Sequence, residues 1–141
     1  AAVKGFKASN TSTQAITPFT TTNVLFQDDF TAPNYDANNN FLTNYFIVPE
    51  SSISQRFQLE NLQITNGNNS KNYIIEIVVN GVVQATMTAP VAGLEVKSYE
   101  PLTTPYITPS AGDQALVRIT DATSSLGGTI DTGAVFSVAY N

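Results

Sequence analysis

Three aspartates form the closest grouping of acidic side chains in the sequence: Asp28, Asp29 and Asp36. Calcium is bound in proteins by carboxylate and carbonyl oxygens, so these residues are the candidate ligands for a hard cation. Their spacing does not match the EF-hand loop, and acidic side chains on loops are commonly solvated without any ligand. We therefore predict that the chain holds no metal and needs none to fold. A calcium site at these aspartates is the alternative.

The residue types on which most enzymes rely are missing. None of the 141 residues is a histidine or a cysteine, which removes the commonest general base and every thiolate nucleophile. Facing carboxylates could still cleave a glycosidic bond, but the eleven acids are scattered and no tryptophan is present to stack on a sugar. Gly127-Gly128 lacks the lysine and hydroxyl residue of a phosphate loop, which favours a turn. The sequence predicts no enzyme and no cofactor.

Charge and hydropathy limit the partners. Six lysines and arginines stand against eleven acids, and the net charge of −5 should repel a nucleic acid. No apolar run approaches the roughly 20 residues that cross a bilayer, and the start, Ala1-Ala2-Val3, shows no signal peptide. Only 12% of the residues are charged. We predict a surface of hydroxyl and amide side chains that suits a dense assembly and binds neither nucleic acid nor membrane.

The spacing of apolar residues predicts an all-β fold. No segment keeps apolar residues at helical spacing, and breaks rich in Gly, Pro and Asn recur about every 8–12 residues, which is typical of a sandwich or barrel. We expect one domain over residues 1–141. The predicted strands are Val3–Ala8, Asn23–Gln27, Phe41–Val48, Ile53–Ile64, Tyr73–Val79, Val82–Thr88, Gly93–Tyr99, Gln114–Asp121 and Ala134–Tyr140.

The most legible local element is a hairpin around Asn80-Gly81, because both central residues of a type I′ turn need positive φ. Both faces of this hairpin carry apolar residues, which indicates that its second face is covered in a larger assembly or by a partner; an exposed apolar outer face is the alternative. A two-residue loop predicts three opposed pairs, namely Val79 with Val82, Val78 with Val83, and Ile74 with Met87.

Two other strands carry irregular patterns. The apolar phase of Ile53–Ile64 shifts between Leu59 and Leu62, which predicts a bulge or bend near Glu60-Asn61. The closing run Ala134–Tyr140 has apolar or small residues on both phases, as expected for a central strand that is covered on both sides.

The order of landmarks along the chain resembles the globular head of the complement first component and the related tumour necrosis factor jelly rolls. The match covers nearly the whole chain, and its residues appear in the family's order. The landmarks are Asn23-Val24-Leu25-Phe26, Tyr35-Asp36, Phe41, Val48-Pro49, Val79-Asn80-Gly81, Gly112-Asp113 and Val135-Phe136-Ser137. The chain departs from the pattern at Glu50-Ser51-Ser52-Ile53, where the family has Gly-x-Tyr-x-Phe, and the 141 residues contain no collagen-like Gly-x-y repeat.

The resemblance implies a single-domain jelly-roll sandwich of about ten antiparallel strands that trimerises about a three-fold axis and works by binding. Some members of that family hold calcium near the top of the trimer. Tyrosine offers a large contact area with a polar tip, so Tyr99, Tyr106 and Tyr140, with Phe136, are candidate aromatic contacts. The predicted trimer-interface residues are Val83, Met87, Tyr106, Phe136, Val138 and Tyr140.

We therefore expect a non-enzymatic, trimeric structural protein that serves as a decoration, cement or fibre protein of a viral or phage capsid. Its partners would be further copies of itself and a major capsid or other virion protein, at the virion surface. The alternative is an extracellular recognition head, such as a phage tail-fibre tip or a secreted complement-like lectin, that binds glycans or a receptor protein.

Overall fold

The computed structural model describes residues 7–29, 41–42, 45–48, 54–66, 70–122 and 127–140. These residues contain fifteen strand segments and no helix. In chain order the segments are β1 (Lys7–Ser9), β2 (Gln14–Ala15), β3 (Thr20–Asn23), β4 (Asp28–Asp29), β5 (Phe41–Leu42), β6 (Tyr45–Ile47), β7 (Gln55–Glu60), β8 (Gln63–Thr65), β9 (Lys71–Val79), β10 (Val82–Val91), β11 (Val96–Ser98), β12 (Leu102–Thr103), β13 (Gln114–Asp121), β14 (Thr129–Ile130) and β15 (Val135–Tyr140).

The strands pair in three antiparallel sheets. A five-stranded sheet has the order β12-β7-β15-β1-β4, and a four-stranded sheet has the order β11-β8-β14-β2. The two orders correspond strand by strand: β11, β8, β14 and β2 are each next along the chain to β12, β7, β15 and β1, respectively. The two sheets are therefore the two halves of one long layer. The other layer is a six-stranded sheet in the order β10-β9-β13-β6-β5, with β3 also paired to β13. The predicted all-β, antiparallel architecture is confirmed.

Buried polar contacts hold the long layer together where it is interrupted. The side chain of Asn10 is 2% exposed; its Oδ1 accepts from the Ala134 amide at 2.7 Å, and its Nδ2 donates to the Asp131 carbonyl at 2.6 Å. The carboxylate of Asp131 in turn accepts from Gln63 Nε2 at 2.9 Å and Thr65 Oγ1 at 2.7 Å. Each break in a strand leaves backbone groups without ladder partners, and here side chains supply them.

The break between β7 and β8 lies where the sequence predicts it. Asn61 has a φ of 59°, a left-handed conformation that asparagine tolerates better than most residues. This residue turns the chain between two segments whose apolar side chains are in different phases, because Leu59 and Leu62 are both buried.

The hairpin of β9 and β10 confirms the predicted turn and corrects one predicted pair. Asn80 and Gly81 have φ values of 51° and 74°, as a type I′ turn requires. Val79 lies opposite Val82, and Val78 lies opposite Val83. The register then shifts between Val83 and Ala85. The predicted pairing of Ile74 with Met87 is wrong, because this β-bulge places Met87 opposite Ile75 and turns it toward the core.

The two layers enclose one hydrophobic core. Its centre is an aromatic group in which the rings of Phe26 and Phe136 stack with centroids 5.6 Å apart and Phe57 lies 6.2 Å from Phe136. Phe46, on the six-stranded sheet, approaches Phe57 at 6.3 Å and so joins the layers. Aromatic pairs at these distances stabilise a core beyond the area they bury.

Several predicted boundaries move. Strand Gln114–Asp121 is confirmed as predicted, and Tyr73–Val79 and Val82–Thr88 are longer, reaching Lys71 and Val91. The predicted strand Asn23–Gln27 is displaced, because β3 ends at Asn23. Most of Val3–Ala8 lies outside the described residues. The short strands β2, β4, β12 and β14 have no separate sequence signal, because two residues cannot show a period.

Candidate assembly surface

The outward face of the five-stranded sheet follows from strict alternation in its strands. In β7, Phe57 and Leu59 are buried while the residues between them are half-buried. In β1 and β15, Ala8 and Phe136 point inward in the same way. We call the outward set the ladder face. It consists of Lys7, Ser9, Arg56, Gln58, Glu60, Val135, Ser137 and Ala139.

The ladder face is ordered in rows, because directly opposed residues of antiparallel strands share one side of a sheet. Ser137 of the central strand lies between Lys7 and Gln58, and Val135 lies between Ser9 and Glu60. The central strand presents Val135, Ser137 and Ala139, which are short side chains, and longer side chains rise beside it on β7. We call this strip of short side chains along β15 the trough, and it would let a second chain approach closely.

Arg56 and Tyr106 border the trough. The guanidinium carbon of Arg56 lies 5.1 Å from the centroid of the Tyr106 ring, a cation–π distance. Tyr106 is 42% exposed, so part of this residue is open to solvent. Within the described part of the chain, Nε of Arg56 is buried without a hydrogen-bond partner. Because this nitrogen is buried, a contact with another molecule would have to come from the terminal nitrogens of the guanidinium.

The residues predicted for the trimer interface do not share one surface. Tyr106 borders the ladder face, while Val83 is 38% exposed on the opposite layer. Met87 and Val138 pack against the core. Phe136 has no exposed surface; it is a core residue, because its ring completes the stack with Phe26 and Phe57, and it cannot contact another copy. The side chain of Tyr140 lies outside what the structure describes.

Tyr99, the remaining aromatic candidate, has a structural role within one chain. Its hydroxyl donates to the carbonyl of Pro90 at 2.8 Å, and the Lys97 ammonium lies 5.8 Å from the ring centroid. Burial, with a smaller contribution from the charge of Glu95, raises the pKa of Tyr99 to about 12. The hydrogen bond to Pro90 joins the end of β10, in the six-stranded sheet, to the residue that follows β11 in the long layer.

The aspartate hypothesis is only partly covered by the structure. Asp28 and Asp29 form β4 and lie opposite Ser9 and Ala8 of β1. Their side chains, and all of Asp36, lie outside the described residues. Among the residues that are described, no group of three or more acidic, histidine or cysteine side chains could hold a metal ion. The search of the same residues for a long apolar helix that could cross a membrane finds none.

Gly127-Gly128 is explained by close packing. A Cβ on Gly127 would collide with the carbonyl oxygen of Ile16, and a Cβ on Gly128 would lie 2.8 Å from both the Thr65 carbonyl and the Tyr73 hydroxyl. Ile16 donates its amide to the Gly128 carbonyl at 2.9 Å. Glycine is therefore needed here so that two backbones can approach, which agrees with a structural role for this pair.

Comparison with known proteins gives a structural answer only. The chain matches no protein-family model, and no curated protein matches it. Among solved structures, the globular domain of zebrafish complement 1qA protein aligns with a TM-score of 0.64 and 15% sequence identity, covering 96% of this chain and 95% of that chain. The fold is that of a complement-type globular head. The jelly-roll resemblance read from the sequence is thus confirmed for the fold, which at this identity is all that the complement-head likeness shows.

Two carbohydrate-binding modules of family 36 also align. One comes from a multidomain xylanase of the hindgut metagenome of Trinervitermes trinervoides, with a TM-score of 0.39, 12% identity and coverage of 94% of this chain and 95% of that chain. The other, in complex with calcium and xylotriose, has a TM-score of 0.37, 11% identity and coverage of 96% and 98%. These two similarities are much weaker than the similarity to the complement head, and we draw no conclusion about ligand or function from them.

The ladder face itself is an interface candidate that residue type alone did not identify. The alternation of Arg56, Gln58 and Glu60 on one phase is visible in the sequence, and it reads as an ordinary wetted face. Only the register shows that Ser137 and Ala139 lie beside these residues and form a trough.

Proposed function

We propose that this chain is a non-enzymatic structural protein that assembles as a homotrimer through the ladder face and decorates or cements a viral or phage particle. The observation that supports it is the trough along β15 on a complement-head fold, whose resemblance implies three-fold assembly. Arg56 supports the same proposal, because its half-buried guanidinium adjoins the trough and its terminal nitrogens would donate to a carboxylate or carbonyl of a neighbouring copy.

The composition supports a role within a dense particle. Charged residues make up 12% of the chain, so hydroxyl and amide side chains supply most of its polar surface. A trimer that buries about 2,000 Å² or more per interface would be stable enough to act as a permanent component. The partner in the particle would be a major capsid or other virion protein.

Sedimentation equilibrium of the whole chain tests the trimer. The wild-type chain should sediment as a trimer at micromolar concentration, and Ser137→Arg or Ala139→Arg should sediment as monomers with an unchanged β-sheet circular-dichroism spectrum. Thr86→Arg is the matched control, because Thr86 is exposed on the other layer. A wild-type monomer, or trimers in both ladder-face variants, would contradict the proposal. The particle role requires the protein to be found by mass spectrometry in purified virions in multiple copies.

A recognition head is the second candidate. Two exposed apolar residues with strained backbone conformations favour it. Phe19 and Leu94 have φ values of 59° and 60° and are 69% and 83% exposed. Positive φ is unusual for bulky residues and clusters at functional sites. Thr129 lies opposite both Ala15 and Thr65, and Val96 lies opposite Thr65. Ala15 and Val96 are thus in one row across the four-stranded sheet. Phe19 follows β2 and Leu94 precedes β11, so the two turns lie at the same end of the sandwich.

In this second reading the exposed pair contacts a receptor outside the cell. Phe19→Asn and Leu94→Asn separate the two functions, because asparagine suits positive φ and removes the apolar surface. Loss of cell binding with normal incorporation into particles would favour the recognition head. Normal cell binding by both variants would argue against it.

A further inference from the structure

A groove of about 400 Å³ opens on the outer face of the six-stranded sheet, near the Asn80-Gly81 turn. Its cause is a change of neighbour along β13. Arg118 lies opposite Asn23 of β3, while Ala115 lies opposite Phe46 of β6. Between these two pairings the side of β13 away from β9 passes from one strand to another, and the surface above Leu116 is left concave.

The groove combines an apolar floor with amide side chains. Val78 and Leu116, which lie opposite each other, form the floor. Asn23, Asn80 and Gln114 contribute exposed side-chain amides around it. Within the described part of the chain these three amides make no hydrogen bond to protein, and each can both donate and accept.

The charge of the groove is balanced. Arg118 lines it, and its Nε donates to Glu76 Oε1 at 2.8 Å, with the two side chains 32% and 17% exposed. The carboxylate neutralises the guanidinium, and no acidic residue is among the described residues that line the groove. A phosphate would find no unpaired cation, and a metal ion would find no carboxylate ligand.

From this geometry we infer that the groove binds a neutral saccharide. Sugar hydroxyls both donate and accept hydrogen bonds, as the three amides do, and the C–H face of a pyranose would pack mainly on Leu116, since Val78 is 2% exposed. Two of the residues that line the groove, Gly81 and Gly112, have no side chain. No atom outside the adjacent residues lies within 4 Å of the position that a Cβ would take at either glycine, so the rim is open there. The groove lies within one chain, so this site does not depend on the proposed trimer.

Nuclear magnetic resonance of the ¹⁵N-labelled full chain tests the inference. Maltotriose, N,N′-diacetylchitobiose and lactose are titrated separately to about 20 mM, a range that suits the affinity of a few exposed hydrogen bonds. At least one should shift the side-chain amide resonances of Asn23, Asn80 and Gln114 saturably. Inorganic phosphate is a separate arm. No saturable shift at these amides with any saccharide, or a response to phosphate alone, would overturn the inference.

Two variants locate the site. Asn80→Gly keeps the positive φ of the turn and deletes the amide, and Gln114→Ala deletes the second; each should weaken binding about fivefold. Asn72→Ala is the control. It removes an exposed amide from β9, the strand of Val78, at a distance of about 20 Å from Val78. Equal binding by all three variants would place the saccharide elsewhere. Repeating the titration on Ser137→Arg separates this result from the fate of the trimer.

Discussion

The Lys71 ammonium lies 2.9 Å from the Asp121 carboxylate, and the two side chains are 0% and 2% exposed. The pair joins the start of β9 to the end of β13, at the same end of the sandwich as the turns that carry Phe19 and Leu94. Removing both charges from water costs several kcal/mol, which their attraction and hydrogen bonds must offset. The pair therefore fixes the arrangement of strand ends more than it adds to stability.

Breaking this ion pair on one side should be costly. Asp121→Asn removes a counter-charge at 2.9 Å from a buried ammonium, and we expect the free energy of unfolding to fall by about 3–5 kcal/mol. The double variant Lys71→Met with Asp121→Leu should recover most of that loss. Urea denaturation measures both, with Glu76→Gln as the control, because its partly exposed pair with Arg118 contributes about 1 kcal/mol or less. A single variant as stable as the wild type would show that the charges are hydrated.

Asn10→Ala should destabilise the interrupted layer. The change leaves the Ala134 amide and the Asp131 carbonyl without their side-chain partners, and a buried donor left unpaired costs about 1–3 kcal/mol. Thermal melting should show the loss, and hydrogen exchange at the Ala134 amide should accelerate. Asn10→Asp keeps an acceptor for that amide but sets an oxygen against the Asp131 carbonyl; at denaturant concentrations that give equal unfolding free energy, the amide should exchange more slowly than in the alanine variant. Equal exchange in both would contradict this account.

Stability should fall at high pH because of Tyr99. Burial holds its pKa at about 12 against an ordinary value of 10.0, so the folded chain retains a proton that the unfolded chain releases. This contribution is complete below pH 10 and is lost as the pH rises from 10 to about 12. Urea midpoints across this range, with absorbance at 295 nm to follow ionisation, provide the measurement. Tyr99→Phe should show a shallower fall; an identical fall would assign the effect to other groups.

Gly127→Ala should be among the most damaging single substitutions. Its Cβ would occupy the position of the Ile16 carbonyl oxygen, and backbone cannot move aside as a flexible side chain can. We expect a loss of at least about 2–3 kcal/mol in unfolding free energy. Gly112→Ala is the comparison, because a Cβ there meets nothing within 4 Å and only the strain of a positive φ remains, which costs about 1–2 kcal/mol. A mild effect at Gly127 would mean that β2 can shift away from β14.

The sequence predicted local features better than distant ones. The Asn80-Gly81 turn and the bend at Asn61 follow from the conformations those residues prefer. Phe136 was misassigned because β15 has apolar residues on both phases, and only packing against Phe26 and Phe57 decides which phase is inside.

The groove could not be foreseen for a related reason. It arises where the neighbour of β13 changes from β3 to β6, and these strands are distant in sequence from β13. The ladder face has the same character, since its trough depends on pairing between β7 and β15. Residue patterns report which side of a strand is apolar, and they do not report which strand lies next to it.

The β-bulge of the hairpin also bears on aggregation. In the described part of the chain β10 is an edge strand of its sheet, and an edge with a regular row of free backbone groups invites pairing with other chains. The extra residue, Gln84, breaks that row, and Pro90 removes one donor from it. A chain without Gln84 would keep every hairpin pair and gain a straighter edge. Such a chain would be expected to form fibres in which correctly folded domains pair through their β10 edges.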